Sequence, residues 1–284
     1  MLLLKRTADL AKYLDKQRSE GKTIGFVPTM GALHAGHISL IDISKKETDL
    51  TVCSIFVNPT QFNDPKDFQK YPITIENDIL LLEQAGTDVL FLPLTTDIYP
   101  EGVKDLEKYD LGRLELLLEG AFRPGHFQGV CQVMRRLLEA VRPDHLFMGQ
   151  KDYQQCMVIR RLLEIIGLPT RLHPCPIVRE KDGLAMSSRN MRLSPEQRQT
   201  AITISRALMT IKEGWQKGIS AGELIAAATS LLGDHGFRVD YVSIADPLTL
   251  APLPNTSVSS PTHPAVALIA AFLGEIRLID NMIL

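Results

Sequence analysis

The sequence predicts an α/β protein with a doubly wound parallel sheet, followed by a smaller C-terminal α+β domain. Strand-like and helix-like patterns alternate from residue 23 to about residue 176, which is typical of parallel βαβ units. The continuous apolar run Leu50–Val57 suits a strand covered on both faces of such a sheet. After residue 176 helices come first and strands afterwards, so we expect domains at 1–176 and 177–284.

In the first domain each predicted strand is followed by a helix with apolar residues at helical spacing. Glycines 86 and 167 follow two of these helices, as helix ends prefer. The expected strands are Thr23–Pro28, Leu50–Val57, Asp88–Leu92, His145–Met148 and Arg171–Val178, and the expected helices are His37–Lys46, Thr74–Ala85, Phe127–Val141 and Tyr153–Ile166.

The second domain opens with a helix start at Ser194, where Ser at the cap, Pro next and Gln three positions later form a capping-box pattern. This helix is expected to run to about Lys217. We also predict a helix at Ala221–Gly233, a loop at Pro247–Pro264, and strands at Tyr241–Ile244, Val266–Leu273 and Glu275–Ile283. We expect this second domain to act as a lid.

The amino-acid composition limits the kinds of binding partner that we expect for this protein. The 284 residues include 31 basic and 33 acidic side chains, so there is no charge excess for nucleic acid or an anionic membrane. The four cysteines show no CxxC pair, which is typical of reduced thiols. The N-terminal apolar run is too short for a signal peptide, and Ala265–Leu273 is too short to cross a bilayer. We therefore expect a cytoplasmic protein that binds small molecules.

The segment Thr23–Leu40 runs from a strand through a glycine turn into a helix start that carries His34 and His37. Unpartnered N–H groups and the helix dipole make such a start favourable for an anion, and both imidazoles fall on one side of the first turn. An HxxH pattern more often consists of two ordinary surface or core histidines. A zinc-protease site is disfavoured, because Ala35 replaces the glutamate and the spacing is three.

Polar motifs follow two other strands. Asn58 and Gln61 come after one strand and offer uncharged amides for a small polar acid, although turn capping is an equal alternative. Lys151 comes after another strand and suits phosphate, with Gln155 one helical turn later. Because carboxyl ends of parallel strands share one sheet edge, these groups should lie near the two histidines.

Five motifs, in order, carry a resemblance to a known family: PTMGALHAGHISL, SIFVNPTQF, RPGHFQGV, GQKDYQQ and AMSSRN. The histidine motif is similar to that of the HIGH-motif nucleotidyltransferase superfamily. The complete set resembles the pantoate–β-alanine ligases within it. The resemblance extends from residue 28 to residue 190 and is far more specific than HAGH alone.

The resemblance implies site residues and their roles. The catalytic residues would be His37, His34, Lys151 and the tripeptide Ser187, Ser188 and Arg189. This tripeptide would correspond to a mobile KMSKS-type loop. Gln61 and Gln155 would hold pantoate, Gln61 would also lie beside β-alanine, and Asn58 would shape the pocket. ATP would contact Met30, Gly31, Ala32, Leu33, His34, Ala35, Gly36, His37, Gly149, Gln150, Lys151, Asp152, Val178, Met186, Ser187, Ser188 and Arg189. Family members usually carry Glu where this chain has Gln150. Asp78 is a candidate magnesium contact, and the role of His126 is open.

The implied reaction condenses pantoate with β-alanine at the expense of ATP and Mg²⁺, through a pantoyl adenylate. The candidate groups are donors and cations and include no protein nucleophile, so they would position substrates and stabilise charge around one triphosphate. The resemblance also implies a homodimer. Two rival hypotheses are a nucleotidyltransferase of the same fold that uses a phosphate acceptor, and a nucleotide-binding module without catalysis.

Overall fold

The computed structural model describes residues 1–63, 68–259 and 264–284. The chain forms two compact units. The first comprises Met1–Glu115, Arg123–Gln150 and Gln155–Pro176, and the second comprises Leu116–Phe122, Lys151–Gln154 and Ile177–Leu284. The sequence analysis assigns both short segments of the second unit to the first domain.

The first unit is built on a six-stranded parallel sheet, which confirms the predicted class. The strand order is β1-β4-β3-β2-β5-β6, with neighbours paired in parallel. The strands are β1 Leu2–Leu4, β2 Ile24–Thr29, β3 Leu50–Ile55, β4 Val89–Phe91, β5 His145–Gly149 and β6 Arg171–Cys175. All six residues of β3 are buried, as the continuous apolar run predicts.

Helices connect these strands, and apolar side chains of the helices and strands make up two buried clusters. The helices are α1 Thr7–Ser19, α2 Ala35–Glu47, α3 Ile75–Gln84, α4 Thr95–Ile98, α6 His126–Val141 and α7 Tyr153–Ile166, whose first two residues belong to the second unit. The sequence analysis misses β1 and α1; β1 is a three-residue edge strand, which gives no periodic signal. The predicted strand Arg171–Val178 ends at Cys175, before Pro176.

The second unit contains an antiparallel sheet of order β7-β8-β9 with helices packed around its own apolar core. The helix expected from Ser194 to about Lys217 is two helices that meet at Ile202. The elements are α5 Leu118–Phe122, α8 Pro195–Ala201, α9 Thr203–Gln216, α10 Ala221–Asp234, β7 Phe237–Ala245, β8 Val266–Leu273 and β9 Ile276–Ile283. Of the loop predicted at Pro247–Pro264, residues 260–263 lie outside the described residues.

Candidate functional site

The first unit places two predicted motifs at the point where the order of the sheet reverses. Strand β2 lies between β3 and β5; the chain proceeds from β2 to β3 and β4 on one side, and from β5 to β6 on the other. In doubly wound sheets ligands bind outside the carboxyl ends of the strands at this switch point. Residues 30–36 follow β2 directly, and Gln150 follows β5. The fold therefore puts both motifs where this class of protein binds its ligands.

Asp78 determines the shape of the turn after β2. Gly31 and Ala32 have φ values of +80° and +50°, in the left-handed region that favours glycine. The backbone N–H of Ala32 donates to Oδ2 of Asp78 at 2.9 Å, and the N–H of Leu33 donates to Oδ1 at 2.8 Å. Asp78 is fully buried, and Thr74 donates to it as well. These bonds favour a structural role for Asp78 over the magnesium contact suggested by the sequence.

His34 and His37 close the first turn of α2 through a reciprocal pair of hydrogen bonds. The N–H of Gly36 donates to Nδ1 of His34 at 3.1 Å, and the N–H of His34 donates to Nδ1 of His37 at 3.3 Å. Because a backbone N–H can only donate, each neutral ring carries its proton on Nε2. The ring centroids are 4.0 Å apart. Both rings can thus present an Nε2–H donor to an anion.

This arrangement changes how the helix start would meet a phosphate. The sequence predicts an anion site made of open backbone N–H groups. In the structure the N–H groups of Ala32, Leu33, His34 and Gly36 already donate to protein acceptors. The imidazoles, rather than these N–H groups, are therefore the donors suited to a phosphate at this position.

A short 3-10 turn, Pro59–Gln61, follows β3; Asn58 caps this turn and Gln61 ends it. Asn58 is 1% exposed, and its Nδ2 donates to the carbonyl of Gly129 at 3.1 Å and to Oε1 of Gln61 at 3.2 Å. Gln61 is partly exposed, and its Nε2 lies 3.0 Å from Sδ of Met30. Asn58 accordingly supports Gln61, and Gln61 is the side chain accessible to a ligand.

His126 fixes the backbone at the same place. Its Nδ1 lies 2.8 Å from the carbonyl oxygen of Gln61, and its Nε2 lies 3.1 Å from Nη1 of Arg123. A carbonyl only accepts and a guanidinium only donates, so Nδ1 carries the proton. The open question about His126 thus has a structural answer: it anchors Gln61.

The remaining predicted residues of the first unit surround the end of β5. Gly149 ends that strand, and Gln150 begins a 3-10 turn after it. Gln155 lies near the start of α7 and is partly exposed. Cys156 donates from Sγ to the carbonyl of Gly149 at 3.6 Å, which links this helix to the strand end.

The second unit brings three predicted catalytic residues together. Lys151, Ser187 and Arg189 line one narrow recess, together with Asn190 and Asp280. Ser187 caps a 3-10 turn, Ser188–Arg192, by accepting from the N–H of Arg189 at 3.3 Å. Ser188 is buried and does not line this recess. Asp152 is half exposed, with its carboxylate 3.9 Å from Nζ of Lys151.

Residues 178–186 fold back on themselves ahead of this recess. The N–H of Met186 donates to the carbonyl of Val178 at 3.0 Å, and Arg179 and Ala185 form an antiparallel bridge. The adenine contact expected at the Val178 backbone would have to share that carbonyl or use another atom. The role of Val178 stays a prediction.

Asp280 and Asn281, which the sequence analysis misses, lie beside Lys151. The Arg179 guanidinium donates to both oxygens of Asp280, at 2.6 and 3.0 Å, and Nδ2 of Asn281 donates to the carbonyl of Lys151 at 2.9 Å. Burial raises the pKa of Asp280, while Arg179 opposes that rise. No local pattern reveals these residues, because the Asn281–Lys151 contact spans 130 positions.

A buried charge network holds α5 within the second unit. Arg277 donates to both carboxylate oxygens of Glu119, at 2.7 and 2.8 Å, and to Asp240 at 2.8 Å. Tyr241 donates to Glu119 at 2.9 Å. Burial raises the pKa of Tyr241 well above its ordinary value, so this phenol is a neutral donor.

Gln154 connects the two short segments of the second unit. Its Oε1 accepts from the N–H of Glu119 at 3.0 Å, and its Nε2 donates to the carbonyl of Leu117 at 2.8 Å. The segment that carries Lys151 is therefore held by the contacts of Gln154 with residues 117 and 119 as well as by Asn281.

Comparison with known proteins agrees with this geometry. The sequence model of the family described as pantoate–β-alanine ligase matches residues 2–283. The chain belongs to this family. A pantothenate synthetase of Bacteroides fragilis is 42% identical over 282 residues, covering 99% of this chain and 98% of the relative. One from Acidobacterium capsulatum is 45% identical over 280 residues, covering 96% and 91%.

Solved structures of the family show the same fold. The pantothenate synthetase of Thermus thermophilus superposes with a TM-score of 0.91 at 42% identity, covering 99% of each chain. The pantoate–β-alanine ligase of Francisella tularensis has a TM-score of 0.80 at 36% identity, covering 100% of this chain and 97% of its own. That enzyme was crystallised with β-γ ATP and β-alanine. Among the described residues of the present chain, no helix has the length and apolarity needed to cross a membrane.

Proposed function

We propose that this chain is an ATP-dependent ligase that condenses pantoate with β-alanine, giving pantothenate, AMP and pyrophosphate through an enzyme-bound pantoyl adenylate. The observation that carries the proposal is the family match over residues 2–283. Relatives named pantothenate synthetase, at 41–45% identity over nearly the whole chain, support it. The Francisella relative, bound to an ATP compound and β-alanine, supports both of these substrates.

In the first step the pantoate carboxylate attacks the α-phosphorus of ATP and pyrophosphate leaves. Gln61 and Gln155 would hold pantoate through their side-chain amides. The Nε2–H groups of His34 and His37 would donate to phosphate oxygens, where negative charge increases in the transition state. Their ring orientation is already set by the bonds at Nδ1, so little reorganisation would be needed.

The second unit would supply cations and hydroxyls for the same reaction. Lys151 and Arg189 would balance the charge of the phosphates, with Ser187 and Ser188 as further donors. In the second step the amine of β-alanine attacks the acyl carbonyl, the C–O bond to the phosphate breaks, and AMP leaves as the amine nitrogen loses a proton. The acyl adenylate has to be protected from water until β-alanine attacks it.

Magnesium is proposed as part of the nucleotide substrate. The described residues contain no group of three or more His, Cys, Asp or Glu side chains placed to hold a metal ion. Both Asp78 oxygens accept hydrogen bonds from the turn after β2. Mg²⁺ is commonly held by substrate phosphates and water with few protein ligands, so we assign it to the ATP phosphates and to no particular side chain.

The remaining partners follow from the family. We propose that the protein acts as a homodimer in the cytoplasm, with pantoate, β-alanine and ATP as its small-molecule partners. Its near balance of 31 basic and 33 acidic side chains supports the absence of a nucleic-acid or membrane partner.

The test is a product assay with ATP, pantoate and β-alanine, each omitted in turn. We expect pantothenate and AMP only with all three substrates, and pantoate-dependent exchange between ATP and pyrophosphate without β-alanine. Exchange that depends instead on a phosphorylated acceptor would favour a nucleotidyltransferase. Nucleotide binding with no AMP formation would favour a binding module and overturn the proposal.

A further inference from the structure

The amide of Gln61 has a defined orientation, which can be read from its neighbours. Asn58 faces the carbonyl of Gly129 at 3.1 Å with one side-chain atom and the N–H of Thr60 at 3.4 Å with the other. A carbonyl can only accept and a backbone N–H can only donate, so the first atom is Nδ2 and the second is Oδ1. The same Nδ2 lies 3.2 Å from Gln61, whose facing atom must therefore be the acceptor Oε1. Gln61 consequently directs its NH₂ group away from Asn58.

Tyr99 completes this network from the far side. Its hydroxyl lies 2.8 Å from Oδ1 of Asn58 and has to donate, because that oxygen only accepts. Tyr99 is 2% exposed, and burial raises the pKa of its phenol, which keeps the hydroxyl protonated. The guanidinium of Arg136 lies 4.9 Å from the centre of the Tyr99 ring, and Glu107 binds that guanidinium at 2.5 and 3.0 Å. The phenol is thus fixed by its ring as well as by its hydroxyl.

We infer that Tyr99 is a positioning residue for the acid substrate: through Asn58 it sets the side-chain amide of Gln61 so that NH₂, and not C=O, faces the ligand. This inference rests on the proposed function, in which Gln61 binds pantoate. An NH₂ group donates to carboxylate and hydroxyl oxygens, both of which pantoate offers, whereas a carbonyl would face their lone pairs. Without the Tyr99 hydroxyl, Oδ1 of Asn58 loses one of its donors, and the preference of the Asn58 and Gln61 amides for one orientation becomes weaker.

The experiment compares Tyr99→Phe with Tyr109→Phe. Tyr109 is also buried, but its hydroxyl donates to Glu107 at 2.8 Å and makes no contact with Asn58. Loss of one hydrogen bond corresponds to a change of about three- to tenfold in binding. We expect Tyr99→Phe to raise the KM for pantoate by this factor, while kcat and the KM for ATP change less than about twofold, and Tyr109→Phe to leave the KM for pantoate unchanged.

A double-variant cycle separates positioning from a general structural effect. In a Gln61→Ala background, Tyr99→Phe should no longer change the KM for pantoate, because the amide that it orients is gone. Asn58→Asp, which cannot donate to Oε1 of Gln61, provides a second variant and should raise the same KM. Equal increases for pantoate and ATP, or an undiminished effect in the Gln61→Ala background, would overturn the inference. Absence of pantothenate formation by the unmodified protein would instead overturn the proposed function.

Discussion

The two units hold their proposed functional residues by different interactions. In the first unit the turn after β2 is held by hydrogen bonds between backbone N–H groups and Asp78, and the two histidines cap each other. In the second unit, charge pairs such as Arg179–Asp280 and Arg277–Glu119 surround the segments that carry Lys151 and Ser187. The first arrangement fixes backbone and ring orientation; the second fixes segments that are distant in sequence.

This difference determines what a substitution does. A backbone N–H that loses its acceptor is a neutral group, and its cost is limited to one unmade hydrogen bond. A buried carboxylate that loses its cation remains charged and costs more, since charge is poorly solvated in the interior. We therefore expect the second unit to be the more sensitive to loss of a single partner.

The largest effect is expected for Arg277→Met. Arg277 is 14% exposed, and its loss removes the guanidinium that pairs with the largely buried carboxylates of Glu119 and Asp240. Breaking such a pair typically costs about 3–5 kcal/mol of unfolding free energy. Trp215, the single tryptophan, is buried in the core of this unit, so urea unfolding followed by its fluorescence measures the loss.

Arg238→Met is the matched control for Arg277→Met. Arg238 lies 3.6 Å from the same Asp240, but its side chain is 70% exposed. An exposed pair contributes only about 0–1 kcal/mol. Equal shifts of the Trp215 transition in the two variants would show that burial does not set the cost, and the contrast between the units would fail.

The next largest effect is expected on the catalytic rate. His37→Ala in the first unit and Lys151→Ala in the second should each lower kcat/KM about a hundred- to thousandfold, as loss of one group directed at transition-state charge does. Steady-state rates of pantothenate formation measure it, with circular dichroism to verify folding. His235→Ala and Lys181→Ala, which replace exposed residues, serve as controls. Near-normal turnover in either test variant would remove that residue from the mechanism.

Asp78→Asn should have an intermediate effect on stability. The asparagine amide can accept from only one of the two N–H groups at Ala32 and Leu33, and it presents its own NH₂ to the other. An unmade buried hydrogen bond costs about 1–3 kcal/mol. Hydrogen exchange should show faster exchange of these two amides, while Asp42→Asn, at an exposed position on α2, leaves them unchanged. Unaltered protection in Asp78→Asn would mean that this carboxylate does not shape the turn.

The sequence predicts elements with long periodic patterns and misses contacts that depend on tertiary structure. The strand at Leu50–Ile55 follows from its apolar run, and the start of α2 follows from glycine and histidine spacing. Asp78 looks like an ordinary helix carboxylate, because the N–H groups that donate to it lie 45 and 46 positions away. The roles of Tyr99 and Asn281 likewise cannot be predicted from the sequence, since each contacts a residue that is brought close only by folding.

We expect the smallest effect for a partly exposed ion pair of the first unit, in contrast to the buried ion pair of the second. The hydrogen bond from Arg136 holds the pKa of Glu107 at about 2, below its ordinary value of 4.5. Because the folded pKa is lowered, the pair stabilises the protein above the ordinary pKa, and this contribution is lost as the pH falls toward about 2. The side chains of Glu107 and Arg136 are 29% and 23% exposed, so we expect at most about 1 kcal/mol. The difference in unfolding free energy between the unmodified protein and Glu107→Gln should therefore shrink on acidification, whereas for Glu83→Gln, at an exposed position on α3, it should stay flat. A difference that grew on acidification would reverse the sign of this linkage and show that Arg136 does not favour the charged carboxylate.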